Sequence, residues 1–189
     1  MNNLLTIISA VALLTAIAGS AYADQHEKTV FVTSASFNGN LGGLEGADDK
    51  CQAEADAPAS IVPSGTYLAW LSDGFDSPDI RFTKSSHPYI LPDGTKIAED
   101  FTDLTDGSIL RTIDIGPTGK SLGSELFWTS TNPNGTTADY TLTCDGWTAG
   151  PATGFRGMAG STIHSSSLWS TYCGRCRCGY KARLLCFQQ

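Results

Sequence analysis

The sequence predicts an α+β domain: short strands, few helices, and a long irregular region braced by cysteines. Three observations point there. Only residues 44–57 show a clear helical pattern, while short β-branched and aromatic runs recur along the chain. Glycine and proline number 20 and 8 in 189 residues, which favours turns over long elements. Six cysteines follow what reads as an export signal, and an even count in an exported chain reads first as disulfides.

The signal comes first. Residues 4–18 are rich in Leu, Ile, Val and Ala, and Ala21-Tyr22-Ala23 places small residues at both outer positions of a signal-peptidase site. Residues 1–23 are therefore expected to be a cleaved secretory signal, leaving a single mature domain at 24–189. Such a protein is secreted, periplasmic or held at the cell surface. The apolar run is shorter than the roughly 20 residues that a bilayer-spanning helix needs, and no later stretch is long and apolar enough to span. The mature length suits one domain with a real core. The chain carries 12 Lys and Arg against 19 Asp and Glu. With no basic stripe interleaved with aromatics, nucleic acid is not an expected partner.

The elements follow in order. Residues 29–33 (Thr-Val-Phe-Val-Thr) read as a first strand, and 38–43 as a turn-rich loop. The helix over 44–57 has Glu45, Asp48 and Asp49 near its start, where carboxylates suit the positive end of the dipole. Ala47, Cys51 and Ala55 recur every four residues, a small-residue face suited to close packing on a sheet, and Pro58 ends the helix. Residues 66–72 alternate and read as the best central strand. Residues 88–91 and 95–98, joined by Pro92-Asp93-Gly94, read as a hairpin. A short second helix is expected within 101–109, a short strand at 111–115, another at 125–130, and a closing strand at 180–187. Between them, 131–178 is mostly Gly, Ser, Thr and Asn with isolated Trp residues. It reads as one long irregular region, the kind of place where function sits.

Taken in order, these pieces resemble a known family. Gly46-Ala47-Asp48-Asp49-Lys50-Cys51, then Gly65-Thr66-Tyr67-Leu68-Ala69-Trp70-Leu71-Ser72, resemble the opening of the endostatin domain of collagen. Trp128, Asn132-Pro133-Asn134-Gly135 and Cys144-Asp145-Gly146-Trp147 resemble its middle, and Cys178, Tyr180 and Leu184-Leu185-Cys186 its end. The likeness spans nearly the whole mature chain and is strongest to bacterial endostatin-like domains of exported proteins. It implies a C-type lectin-like fold: two helices, a bent antiparallel sheet and a long loop region. It also implies the pairs Cys51–Cys186 and Cys144–Cys178, which sequence alone would not choose among 15 possible pairings.

Cys173-Gly174-Arg175-Cys176 has no counterpart in that pattern. Three readings stand. The pair forms a local third disulfide, or a redox-active dithiol in which Arg175 and Arg177 favour the thiolate, or part of a metal site. A structural zinc site wants four ligands, and His164 is the only histidine nearby, so no metal is expected. Close spacing leaves Cys173, Cys176 and Cys178 all open as partners of Cys144.

For binding, Asn132 and Asn134 lie in an Asn-Pro-Asn turn similar to the calcium loop of sugar-binding C-type lectins, where side-chain oxygens hold the ion. Asp139 and Asp145 stand where they would supplement such a loop. Calcium is thus a possible cofactor, although the partner Trp-Asn-Asp motif is missing. Trp147 and Trp169 offer rings that either stack on a ligand or anchor the loop from within. No nucleophile–base pair can be argued, so the chain is expected to bind rather than catalyse. The expected partner is an extracellular protein or glycan met through 131–170. A heparin-like partner suits an acidic chain poorly. The alternatives are a calcium-dependent lectin and a thiol–disulfide protein using Cys173 and Cys176.

Overall fold

The computed structural model describes residues 27–189, so the expected signal segment lies outside the described residues. The fold is α+β. In chain order its elements are β1 (Lys28–Val32), α1 (Gly43–Ala55), β2 (Tyr67–Ala69), α2 (Pro78–Arg81), β3 (Tyr89–Ile90), β4 (Lys96–Ala98), α3 (Phe101–Leu104), β5 (Leu126–Trp128), a 3-10 turn (Tyr140–Leu142), α4 (Cys144–Trp147), β6 (Arg156–Ser161), α5 (Leu168–Thr171), β7 (Cys173–Arg177) and β8 (Leu185–Gln188). Among the described residues no helix is long and apolar enough to cross a membrane.

The strands form two sheets rather than one. The larger runs β2-β8-β1-β3-β4, antiparallel except for the parallel pair β1–β3, and the smaller runs β5-β6-β7. Arg183 joins them, accepting from Trp128 N–H at 3.0 Å and donating to the Leu126 carbonyl at 2.8 Å. Alternation along β1 explains the layering. Phe31 points into a core shared with Leu44, Ala47 and Cys51 of α1, while Val30 and Val32 join Trp70, Leu185 and Phe187 on the opposite face. The expected small-residue face of α1 is indeed the one that packs on the sheet, with Ala47 and Cys51 both at 0% exposure.

Residues 66–72 were expected to hold a central strand, but β2 is an edge. Its alternation comes from its two faces, with Tyr67 and Ala69 in the core shared with α1 and Leu68 against the opposite core, while α1 also covers the edge. Tyr67 N–H donates to Gln52 Oε1 at 3.0 Å and Ala69 N–H to Asp48 Oδ1 at 2.8 Å, so helix side chains satisfy the outer backbone donors. The second helix stops after one turn, at Leu104, followed by Gly107 with φ of +115°. Residues 111–115 form no strand. Ile115 makes an isolated bridge to Ser121 around the Gly116-Pro117 turn, and its carbonyl accepts from Val32 N–H of β1 at 3.0 Å. The region 131–178 is also more regular than expected, since it contains β6 and β7.

All six cysteines are bridged. Cys51–Cys186 ties α1 to β8 across 135 residues, Cys144–Cys178 spans 34, and Cys173–Cys176 closes within β7. In the chain-entropy account the first two stabilise by about 5 and about 4 kcal/mol. The Cys173–Cys176 pair straddles a register shift between β6 and β7 rather than opening a helix, where a redox thiolate is usually stabilised.

Candidate functional site

Three loop segments converge on one side of the molecule. The first follows β2. There Asp73 Oδ1 accepts from the N–H groups of Phe75 and Asp76, both at 2.9 Å, a turn that turns the Phe75 ring outward until it is 90% exposed. The second is the 3-10 turn. Asp139 caps it, accepting from Thr141 N–H at 2.8 Å and Thr141 Oγ1 at 2.6 Å, and the adjacent Tyr140 is 75% exposed. Those hydrogen bonds hold the Asp139 carboxyl below the usual carboxylate range, the Thr141 hydroxyl contributing most.

The third segment is α4, and its handedness is unusual. Cys144, Asp145, Gly146 and Trp147 have φ of 50°, 57°, 60° and 63°, a run of left-handed residues of which only one is glycine. Each L-residue in that region is disfavoured by roughly 1–2 kcal/mol, so the turn persists only because its surroundings hold it. Cys144 is bridged to Cys178. Thr143 Oγ1 accepts from Gly146 N–H at 3.2 Å, and Trp147 N–H returns to the Thr143 carbonyl at 2.7 Å. The Trp147 ring is buried beside Trp128, and its Nε1 donates to the Ser72 carbonyl at 2.8 Å, which locks α4 to the Phe75 loop. Between the two buried anchors Cys144 and Trp147, Asp145 stands exposed.

The result is a cleft of about 650 Å³ walled by Asp73, Phe75, Tyr140, Asp145 and Phe155, with Thr141 and Thr143 completing its lining. Phe155, 46% exposed, also borders a second cleft of about 410 Å³ lined by Arg156, Arg177 and Tyr180. Gly157 and Gly160 of β6 allow this layer to close. A Cβ at Gly157 would lie 2.7 Å from Cys144 Sγ, and one at Gly160 would lie 2.0 Å from the Trp169 carbonyl oxygen.

Of the residues expected to bind a ligand, Asp145 lines the cleft, and Asp139 holds one wall in place. Trp147 and Trp169 do not offer a ring to solvent. Both are at 0% exposure, Trp147 against Trp128 and Trp169 against Trp70, so they are core anchors. Asn132 and Asn134 are drawn into their own turn. Asn132 Nδ2 donates to the Thr137 carbonyl at 3.2 Å, and Asn134 Oδ1 accepts from Thr136 Oγ1 at 2.7 Å. That turn packs on α2, where Asp79 N–H donates to the Gly135 carbonyl at 3.0 Å, and none of its residues lines the cleft. Among the described residues no three His, Cys, Asp or Glu side chains gather as a metal site would require.

Sequence reasoning did not pick out Asp73, Phe75, Tyr140 or Phe155. A signal was present at Phe75, the only large apolar residue in Ser72-Asp73-Gly74-Phe75-Asp76-Ser77. An aromatic with no periodic partner, set among turn formers, has no core to enter.

Residues 34–165 match the family described as "Protein of unknown function (DUF1554)", a span that includes all five principal wall residues of the cleft. No curated protein matches the chain.

Proposed function

The chain belongs to the DUF1554 family, and we propose that it is an exported binding protein that recognises an extracellular protein or glycan through the Phe75–Tyr140–Phe155 cleft. The exposure of three aromatic rings around one concave surface carries this reading. Aromatic rings left in water forgo burial worth about 1.5–3 kcal/mol each, and they are the commonest anchors of recognition sites. The cleft floor supports the same conclusion. A left-handed turn pinned by a disulfide and a buried tryptophan presents Asp145 in one fixed orientation, which lowers the entropy lost on binding. The six cysteines, all bridged, suit the oxidising compartment that the proposed export signal would deliver the chain to. Its architecture, with α1 tied to the last strand and the 144–178 bridge bracing the loops, supports membership of the C-type lectin-like class that the endostatin resemblance implies.

The test is an array of extracellular matrix proteins and glycans probed with residues 24–189 and with a Phe75→Ala/Tyr140→Ala variant. Retention of a ligand by the parent and its loss in the variant supports the reading. A ligand retained equally by both contradicts it.

A further inference from the structure

We infer that the partner is a polypeptide segment carrying charges of both signs, with a Lys or Arg side chain entering the Phe75–Tyr140 cleft and an acidic group meeting Arg156 and Arg177. This rests on the proposal that the cleft is the binding site. Two features of opposite charge meet at Phe155, which borders both clefts.

On one side the carboxylates of Asp73 and Asp145 stand beside the exposed rings of Phe75 and Tyr140. Among the described residues nothing donates to the Asp145 carboxylate, and its backbone is held so that it remains at the surface. A cation over an aromatic face and next to a carboxylate gains from the ring quadrupole and from a charge-assisted hydrogen bond. A neutral sugar can stack on the rings and donate hydroxyls to the carboxylates, but it brings no positive charge to offset theirs, and an anionic one is repelled by them.

On the other side Arg156 and Arg177 stand directly opposite one another on β6 and β7. Like charges at opposed positions destabilise a strand pair. Arg156 Nη1 donates only to the carbonyls of Gly154 and Phe155, both at 3.3 Å, and neither arginine meets a carboxylate among the described residues. In a chain of net charge −7, two unpaired guanidinium groups on facing strands are not explained by general surface composition. An incoming carboxylate relieves their repulsion and accepts from both. Sugars chiefly carry neutral or anionic groups. A polypeptide supplies a cation and an anion on one short segment, which suits two clefts of opposite charge that share Phe155.

The experiment immobilises short peptides of mixed charge, the same peptides with their Lys and Arg or their Asp and Glu neutralised, and neutral and sulfated glycans. The probes are the parent chain, Asp145→Asn, Arg177→Gln and Tyr140→Ala, each checked for folding by circular dichroism. The expected result is retention of mixed-charge peptides, about tenfold weaker with either charge variant and with either set of neutralised peptides. Retention should also fall with added salt. Asp145→Lys should in turn prefer peptides whose basic residue is replaced by Glu. Glycan binding that Tyr140→Ala abolishes overturns the polypeptide inference and leaves the cleft reading standing. Peptide binding insensitive to Tyr140→Ala overturns both. Peptide binding insensitive to Asp145→Asn and Arg177→Gln, or retention of no peptide at all, overturns the inference.

Discussion

Gly74 and Tyr140 meet at the mouth of the cleft: a Cβ on Gly74 would lie 3.0 Å from the Tyr140 Cβ. Gly74 also has φ of +105°, a conformation that side chains rarely adopt. The absence of a side chain at Gly74 thus sets how closely the Phe75 loop approaches the 3-10 turn. Gly74→Ala meets both obstacles at once. The expected outcome is a loss of about 1–3 kcal/mol in denaturant unfolding together with weaker ligand retention, as the two walls move apart.

Phe75 and Trp147 make opposite predictions for the same kind of substitution. Phe75 is 90% exposed and Trp147 is at 0%. Phe75→Ala should leave stability within about 0.5 kcal/mol of the parent while abolishing binding. Trp147→Ala should lower stability by about 3–5 kcal/mol, since it empties a core site and removes the hydrogen bond to Ser72. Equal destabilisation by the two would mark Phe75 as structural.

Asp145 should show stability and function in opposition. Its φ of 57° suits glycine, so Asp145→Gly relieves strain while loosening the unfolded chain. The melting midpoint should stay level or rise, by up to about 1 kcal/mol in stability, while ligand affinity falls. A loss of stability with affinity unchanged would contradict the role given to this turn.

Alkaline pH offers an independent check on the core. Burial pushes Tyr67 and Tyr89 each up to about 12 from an ordinary 10.0. The folded state holds these phenolic protons more tightly than the unfolded one. Their contribution is therefore full below about pH 10 and is lost as pH rises towards about 12, roughly 2–3 kcal/mol for each. Tyr67→Phe and Tyr89→Phe should each move alkaline unfolding, followed by circular dichroism, to higher pH. Unchanged midpoints would show that neither phenol is buried as described.

The parts legible in the sequence are those fixed by local chemistry. The helix at α1 shows in its four-residue spacing of Ala47 and Cys51, and the β3–β4 hairpin in Pro92-Asp93-Gly94. The parts that were not legible depend on distant neighbours. Gly157 and Gly160 read as loop residues, yet they sit in β6 because Cys144 and Trp169 leave no room for a side chain. β2 reads as central from its alternation, but it is an edge whose outer donors are satisfied by Gln52 and Asp48 of α1, which no alternation pattern reveals. The candidate site was legible only at Asp145. Its aromatic walls come from three separate loops, with Phe75 lying 65 residues before Tyr140 and Phe155 lying 15 after it, each ring set among polar residues and glycine. Of the two readings open for Trp147 and Trp169, ligand platform or buried anchor, burial selects the anchor.

The most direct test of the cleft as the recognition surface is hydrogen exchange of residues 24–189, free and bound to the tightest ligand from the array. The account predicts new protection at 73–76, 140–146 and 155–156, with the β3–β4 hairpin and the 132–136 turn unchanged. Protection confined to the hairpin or to the 132–136 turn, with the cleft segments exchanging as in the free protein, would contradict it.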